Sequence, residues 1–156
     1  MRPVMLADAA LILALMNDPT FVRYVADRGL RTPEDAANYI AEKMLPGLEK
    51  FGFGIFVVER KEAGIPIGTC GLLHRDFMAD VDIGWAFLPE FRGQGYAFEA
   101  ATAVLAYGRQ ELGLKRIVAM TSPEHERSIH LIEKLGLRFE RMIEISGSER
   151  PAKLFG

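Results

Sequence analysis

Residues 88–97 read Leu-Pro-Glu-Phe-Arg-Gly-Gln-Gly-Tyr-Ala and join a predicted strand to a predicted helix. Gly93 and Gly95 carry no side chain, so several backbone N–H groups of this loop are open to a ligand. The helix that follows adds its own unpaired N–H groups and the positive end of its dipole at the same place. Together these features predict a site where backbone donors hold a phosphate or pyrophosphate. A glycine-rich turn without a ligand is the alternative.

Two common phosphate-binding motifs do not match this loop. A P-loop requires Lys and then Ser or Thr after its last glycine, whereas Tyr96 and Ala97 follow Gly95. A Rossmann fingerprint requires a third small residue, and the bulky Phe98 stands there instead. These two kinds of phosphate site are therefore excluded.

The elements around the loop predict one parallel βαβ unit. Residues 80–88 alternate in the manner of a half-buried strand. One face of this strand is apolar and consists of Val81, Ile83, Trp85 and Phe87. A helix is predicted over residues 96–112 and a short buried strand over residues 116–121. The strands on either side of such a helix should be parallel, with a right-handed crossover.

The rest of the chain predicts helices first and then mostly antiparallel strands. Before the loop lie a helix capped by Asp8, a helical turn over residues 19–25, and a longer helix that begins at Thr32 and should kink or end at Pro46. The other predicted elements are strands over residues 54–60 and 67–75, a helix over residues 127–135, and a closing hairpin of residues 138–145 and 152–155. The fold class is therefore α+β, with a mixed, mostly antiparallel sheet.

The composition limits the class of protein. The 156 residues predict a single domain, 1–156, and 49% hydrophobic with 26% charged residues is typical of soluble globular proteins. The net charge of −2 gives no reason to expect nucleic acid. The longest apolar run, residues 9–16, is too short to span a bilayer, so no membrane is expected. No signal-peptide pattern is found, and a cytoplasmic location is expected.

The cysteine and the histidines of this chain indicate neither a thiol nucleophile nor a metal site. Cys70 is the only cysteine, which excludes an internal disulfide and a cysteine-built zinc site. His74 lies four residues further along the same predicted strand, roughly 13 Å away, too far to pair with this thiol. Cys70 is therefore interpreted as a core residue. The histidines at 74, 125 and 130 share no metal-ligand spacing, so no metal is expected.

Several short motifs, taken in order, resemble the GCN5-related N-acetyltransferase (GNAT) family. The acetyl-CoA loop of that family reads Arg/Gln-x-x-Gly-x-Gly/Ala, a pattern that residues 92–97 fit. Residues 82–85 (Asp-Ile-Gly-Trp) are similar to the family's acidic-x-Gly-aromatic strand. Residues 98–100 (Phe-Glu-Ala), and Ser128 followed by Glu-Lys-Leu-Gly-Leu at residues 133–137, resemble the ribosomal-protein N-terminal acetyltransferase branch. The resemblance covers nearly the whole chain.

The resemblance implies an acetyl-CoA-dependent N-acetyltransferase with a GNAT-like fold, one central parallel βαβ unit and helices on both faces of the sheet. The third and fourth predicted strands would splay apart to admit the pantetheine arm, and a backbone N–H near Phe87 would polarise the thioester carbonyl. The implied cofactor-binding residues are Phe87, Leu88, Arg92, Gly93, Gln94, Gly95, Tyr96, Ala97, His125 and Ser128. A primary amine, at a protein N-terminus or on a small molecule, would attack directly in a ternary complex. The resemblance also admits a homodimer.

The chain departs from the family at two positions that bear on the site. His125 stands where the family has Asn, and Ile132 stands where many relatives have Tyr, proposed there as the general acid. Asp82 lies on the small-residue face of its strand and is the candidate general base, acting directly or through water. A solvated strand residue is the alternative for Asp82. For the whole protein, the alternative is a non-catalytic acyl-CoA-binding or regulatory module.

Overall fold

Seven strands form one mixed sheet in the computed structural model, which describes residues 1–156. They are β1 (Arg2–Pro3), β2 (Ile55–Glu59), β3 (Pro66–Leu73), β4 (Val81–Phe87), β5 (Ile117–Thr121), β6 (Phe139–Ile143) and β7 (Ala152–Phe155). Their order across the sheet is β1-β2-β3-β4-β5-β7-β6. The pair β4–β5 is parallel and all other neighbours are antiparallel. The predicted fold class, including the single central βαβ unit, is confirmed.

Six α-helices accompany the sheet. They are α1 (Ala9–Met16), α2 (Pro19–Tyr24), α3 (Pro33–Tyr39), α4 (Leu45–Phe51), α5 (Tyr96–Gln110) and α6 (Glu126–Lys134). None of them combines the length and the apolar character that crossing a membrane requires. The predicted start of α3 is confirmed, because the Thr32 hydroxyl accepts from the Asp35 N–H and the Asp35 carboxylate accepts from the Thr32 N–H. A π-helical turn over Ile40–Met44 separates α3 from α4, and Pro46 is the second residue of α4. The helix is therefore interrupted as predicted, but just before Pro46 rather than at it.

The predicted cap of the first helix is wrong. Asp8 precedes α1, but its carboxylate accepts from the Arg2 guanidinium (2.7 and 2.8 Å) and from the Met5 N–H rather than from the first turn of α1. Arg2 belongs to β1, so this buried carboxylate fixes the first strand to the start of α1. The capping carboxylate in this region is that of Asp18, which accepts from the first N–H groups of α2.

The two faces of the sheet carry separate cores. Val58 belongs to the larger core, in which α5 and α6 pack on β3, β4 and β5, whereas the adjacent Val57 belongs to a smaller core built by the helices before β2. Successive strand residues point to opposite faces, so these two cores lie on opposite sides of the sheet. The predicted apolar side of β4 faces α5, which leaves Asp82 on the opposite face.

Candidate functional site

Strands β4 and β5 are paired only near their amino ends. The ladder between them joins two residue pairs, Val81–Ile117 and Asp82–Val118, although both strands run on beyond it. The strands therefore diverge toward their carboxyl ends and leave a gap, here called the β4–β5 gap. Asp82 is the last paired residue of β4 and lies at the closed end of this gap.

Backbone N–H groups of β4 line the gap. The Leu88 N–H donates to the Ile67 carbonyl at 3.0 Å, in the direction of β3. Successive N–H groups of a strand point to opposite sides, so those of Phe87 and Trp85 point away from β3 and into the gap. They are placed to pair with an extended ligand that lies between the strands in the position of a missing strand.

The loop that follows β4 is open at its backbone. Gly93 and Gly95 have φ values of +71° and +89°, and a Cβ added to either would meet nothing within 4 Å. The first hydrogen bond of α5 runs from the Glu99 N–H to the Gly95 carbonyl at 3.0 Å, so the N–H groups of residues 93–98 have no partner within the chain. The structure thus contains the unpaired donors and the free space that the sequence predicts for a phosphate site.

The polar side chains of the loop hold the loop itself. Arg92 donates through Nε to the Phe87 carbonyl at 2.9 Å and through Nη2 to the Asp18 carboxylate at 2.7 Å. Gln94 donates through its amide to the Glu90 carbonyl at 2.8 Å. These bonds fix the path of the backbone between β4 and α5 and leave its N–H groups as the donors to a ligand.

Two of the residues implied as cofactor contacts have their backbone N–H groups engaged within the chain. Leu88 has no free backbone donor, because its N–H is bonded to the Ile67 carbonyl, and its own carbonyl accepts from the Phe91 N–H at 3.0 Å. The Arg92 N–H is likewise bonded to the Pro89 carbonyl, and its guanidinium is engaged as described. The free donors of the site are therefore the N–H groups in the gap and those after Arg92.

Asp82 is a buried carboxylate in an ion pair. It is only 2% exposed, and its Oδ2 accepts from Nε and Nη2 of Arg75 at 3.1 and 3.0 Å. Its Oδ1 is buried without a hydrogen-bond partner. Burial raises the pKa of Asp82 to about 6, against the opposing effect of the Arg75 charge. The interpretation of Asp82 as a solvated strand residue is therefore wrong.

His125 and Ser128 lie on the β5 side of the gap, at the start of α6. The His125 ring stacks on Tyr24 with 4.3 Å between centroids and 6° between planes. Burial, together with the positive charges of Arg92 and Arg127, lowers the pKa of His125 and so favours the neutral ring. Ser128 is buried in the first turn of α6.

Other candidate groups do not take part in this site. Ile132 is 1% exposed and packs in the larger core, so no acid replaces the tyrosine of related proteins at this position. Cys70 is fully buried and burial raises the pKa of its thiol to about 12, in agreement with its interpretation as a core residue. No group of three or more His, Cys, Asp or Glu side chains is arranged to hold a metal ion.

The contacts that α2 makes with the site were not predicted from the sequence. Asp18 contacts the loop after β4, and Tyr24 contacts the residue that precedes α6. The only local signal was Asp18 followed by Pro19, which is typical of a helix start. The partner Arg92 lies 74 positions away, and nothing in the local pattern indicates that contact.

Comparison with known proteins gives consistent results. Residues 1–138 match the acetyltransferase (GNAT) domain family. The chain is 33% identical over 129 residues to the uncharacterized N-acetyltransferase YnaD of Bacillus subtilis (strain 168), an alignment that covers 80% of this chain and 69% of that protein.

Solved structures share the fold. An acetyltransferase of the GNAT family from Bacillus anthracis superposes with a TM-score of 0.80 at 27% identity, covering 99% of this chain and 90% of that chain. The ribosomal-protein-S5-alanine acetyltransferase from Vibrio fischeri superposes with a TM-score of 0.77 at 22% identity, covering 99% and 89%. At 22% identity, this second likeness shows the fold alone.

Proposed function

This chain belongs to the GNAT acetyltransferase family, and we propose that it transfers the acetyl group of acetyl-CoA to a primary amine by direct attack in a ternary complex. The acceptor amine is a protein N-terminus or a small molecule, and residues 1–156 act as one domain.

The observation that carries this proposal is the continuity of the β4–β5 gap with the open loop. Donors in the gap at Trp85 and Phe87 lead to the unpaired N–H groups of residues 93–98. The positive φ values of Gly93 and Gly95 turn the loop, and the absence of side chains keeps free the space that a Cβ would fill. An extended arm that ends in a pyrophosphate fits this combination of an open strand edge and a helix N-terminus.

The residues of the chain divide between holding the cofactor and promoting transfer. The N–H groups of residues 93–98 hold the pyrophosphate, the N–H of Phe87 pairs with the pantetheine arm, and His125 with Ser128 flanks the arm from the β5 side. Acetyl-CoA supplies an acetyl group activated as a thioester. Holding both substrates together accounts for much of the acceleration.

Trp85 is a better donor to the reacting carbonyl than Phe87. Asp82 and Phe87 are five residues apart on one strand, roughly 16 Å at 3.3 Å per residue, too far to serve one reacting centre. Trp85 lies between them, and its N–H points into the same gap. We therefore assign to Trp85 the stabilisation of negative charge on the carbonyl oxygen.

Asp82 is the proposed general base. Its pKa of about 6 lies close enough to neutrality for a carboxylate to accept the proton of the acceptor ammonium. Its burial beside Arg75 favours transfer through a water molecule over direct contact. Cys70 is buried away from any substrate, which favours direct attack over an acyl-enzyme.

The test is acetyl transfer from acetyl-CoA labelled in its acetyl group to a panel of peptide N-termini and small amines. We expect release of the CoA thiol that depends on the amine, together with a labelled amide detected by mass spectrometry. Incubation with acetyl-CoA alone should leave the mass of the protein unchanged. Binding of acetyl-CoA without transfer to any amine would favour the non-catalytic module instead.

A further inference from the structure

Helix α2 bridges the open end of the β4–β5 gap. At its start, Asp18 binds Arg92, which follows β4, and at its end Tyr24 stacks on His125, which follows β5. Six residues of helix rise roughly 9 Å, about twice the 4.8 Å that separates paired strands. The length of α2 therefore matches two strands that have moved apart.

Few contacts hold α2 in this position. None of its residues is buried, and none belongs to either core. Besides the contacts of Asp18 and Tyr24, Arg92 donates to the Thr20 hydroxyl at 3.3 Å, and Arg150 from the β6–β7 loop donates to the Arg23 carbonyl at 2.8 Å. An element with little buried apolar surface opens at low free-energy cost, so these anchors decide where α2 lies.

Asp18 is the main connection between α2 and the loop, through its Oδ2 atom, and the Thr20 hydroxyl adds a longer contact by accepting from Arg92 at 3.3 Å. Its Oδ2 accepts from the Thr20 and Phe21 N–H groups at 3.1 Å, which starts α2, and from Arg92 at 2.7 Å. The same arginine donates to the carbonyl of Phe87, the last residue of β4. The position of the loop and the position of α2 are therefore set by one cluster of hydrogen bonds.

We propose that Asp18 is a positioning residue that couples binding in the loop of residues 92–97 to the docking of α2 across the gap. This inference rests on the proposed function, because the ligand of the loop is CoA or acetyl-CoA. Coupling between two sites is reciprocal, so a docked α2 strengthens CoA binding by the factor by which CoA stabilises the docked α2.

The test compares Asp18→Asn with Asp27→Asn. Asparagine caps a helix about as well as aspartate, so Asp18→Asn keeps the start of α2 and removes the charge that holds Arg92. Asp27 also pairs with an arginine at 2.7 Å, close to α2 in the chain, but that arginine is Arg31, outside the loop. Arg92→Lys removes the guanidinium from the other side of the pair. CoA affinity is measured by calorimetry, and hydrogen exchange of residues 19–26 is measured with and without CoA.

In the wild type and in Asp27→Asn, CoA should slow exchange in residues 19–26 by a factor of about five or more. In Asp18→Asn and Arg92→Lys, CoA should bind about fivefold more weakly or worse, and the slowing should be lost. Unchanged CoA affinity in Asp18→Asn would overturn the coupling and leave Asp18 as a helix cap. Tighter binding would overturn it too, since Arg92 would then be a phosphate ligand that Asp18 restrains. If CoA binds the wild type without slowing exchange in α2, the coupling is wrong and the proposed function still stands. If CoA does not bind the wild type at all, the proposed function is wrong as well.

Discussion

Asp82 lies at the closed end of the gap, in a buried environment that disfavours its ionised carboxylate. Burial raises its pKa from 3.8 to about 6, so the folded protein binds this proton more tightly than the unfolded chain does. The resulting stabilisation is complete below about pH 4 and is lost as pH rises through about 6. Ionised Asp82 therefore destabilises the fold at neutral pH by up to about 3 kcal/mol, at 1.36 kcal/mol for each pKa unit.

Asp82→Asn should accordingly raise the melting temperature at pH 7.5. About 2–3 kcal/mol corresponds to roughly 5 °C or more for a chain of this size. The gain should disappear at pH 4, where Asp82 is protonated in the folded state. Thermal melts of both proteins at the two pH values test this, and a variant that is less stable than the wild type at pH 7.5 would contradict the effect assigned to burial.

The same substitution should change the pH dependence of transfer. If Asp82 takes the proton of the acceptor ammonium, kcat/KM of the wild type should be level between about pH 6 and the pKa of the acceptor amine. Below about pH 6 it should fall tenfold per pH unit, because Asp82 becomes protonated. Asp82→Asn should be slower by about 10²–10⁴ at neutral pH, and its kcat/KM should fall tenfold per pH unit already below the pKa of the acceptor amine, because only the free amine then reacts. A variant that retains more than half the activity, with the chemical step rate-limiting, would remove Asp82 from the mechanism.

Gly95 is a loop position at which a side chain should interfere with a bound pyrophosphate. Gly95→Asp adds a negative charge to the open space above the loop and should weaken CoA binding at least tenfold, about 1.4 kcal/mol. Gly113→Asp is the matched control, because Gly113 also has a positive φ and open space around it but lies beyond the other end of α5. Equal CoA affinity of the two variants, measured by calorimetry, would refute the role of the loop.

At the scale of elements, the glycine at position 71 of β3 lies too close to β2 for a side chain to fit, unlike the glycine at position 84 of β4. A Cβ on Gly71 would overlap the Gly54 carbonyl oxygen and press on Ile55, whereas a Cβ on Gly84 would meet only a Leu73 side-chain atom at 3.3 Å. Gly71→Ala should therefore cost about 2 kcal/mol or more, and Gly84→Ala less than about 1 kcal/mol. Urea unfolding midpoints measure the stability of both variants. An equal loss of unfolding free energy in the two would show that the β2 backbone moves away from the added Cβ at little cost.

Element boundaries were predictable where the signal is local. Thr32, Pro33 and Asp35 contain the whole start of α3 within a few residues, and the structure has it as predicted. Asp8 lies before an apolar run in the same way, but the partly exposed Arg2 guanidinium competes for its carboxylate. A local rule does not include such a competitor, and for this reason the cap was assigned wrongly.

At the scale of the whole molecule, the order of elements was predictable and the environment of the site was not. Alternation placed Asp82 on the polar face of β4, but its burial depends on Arg75 and on the strand beside it. The β4–β5 gap was expected only from the resemblance to a family. It exists because the β4–β5 ladder stops after two residue pairs, a property of the sheet that no single strand encodes.

The central claim is that the gap and the loop form an acetyl-CoA site, and ligand-dependent thermal melting of the wild-type protein tests it most directly. A ligand at a hundredfold excess over its Kd stabilises the folded state by about 2.7 kcal/mol, which raises the melting temperature by several degrees. We expect this shift with acetyl-CoA and with CoA, and no shift with ATP or NAD at the same concentration, because the loop matches neither of their motifs. Absence of a shift with millimolar CoA, or an equal shift with ATP or NAD, would contradict the account.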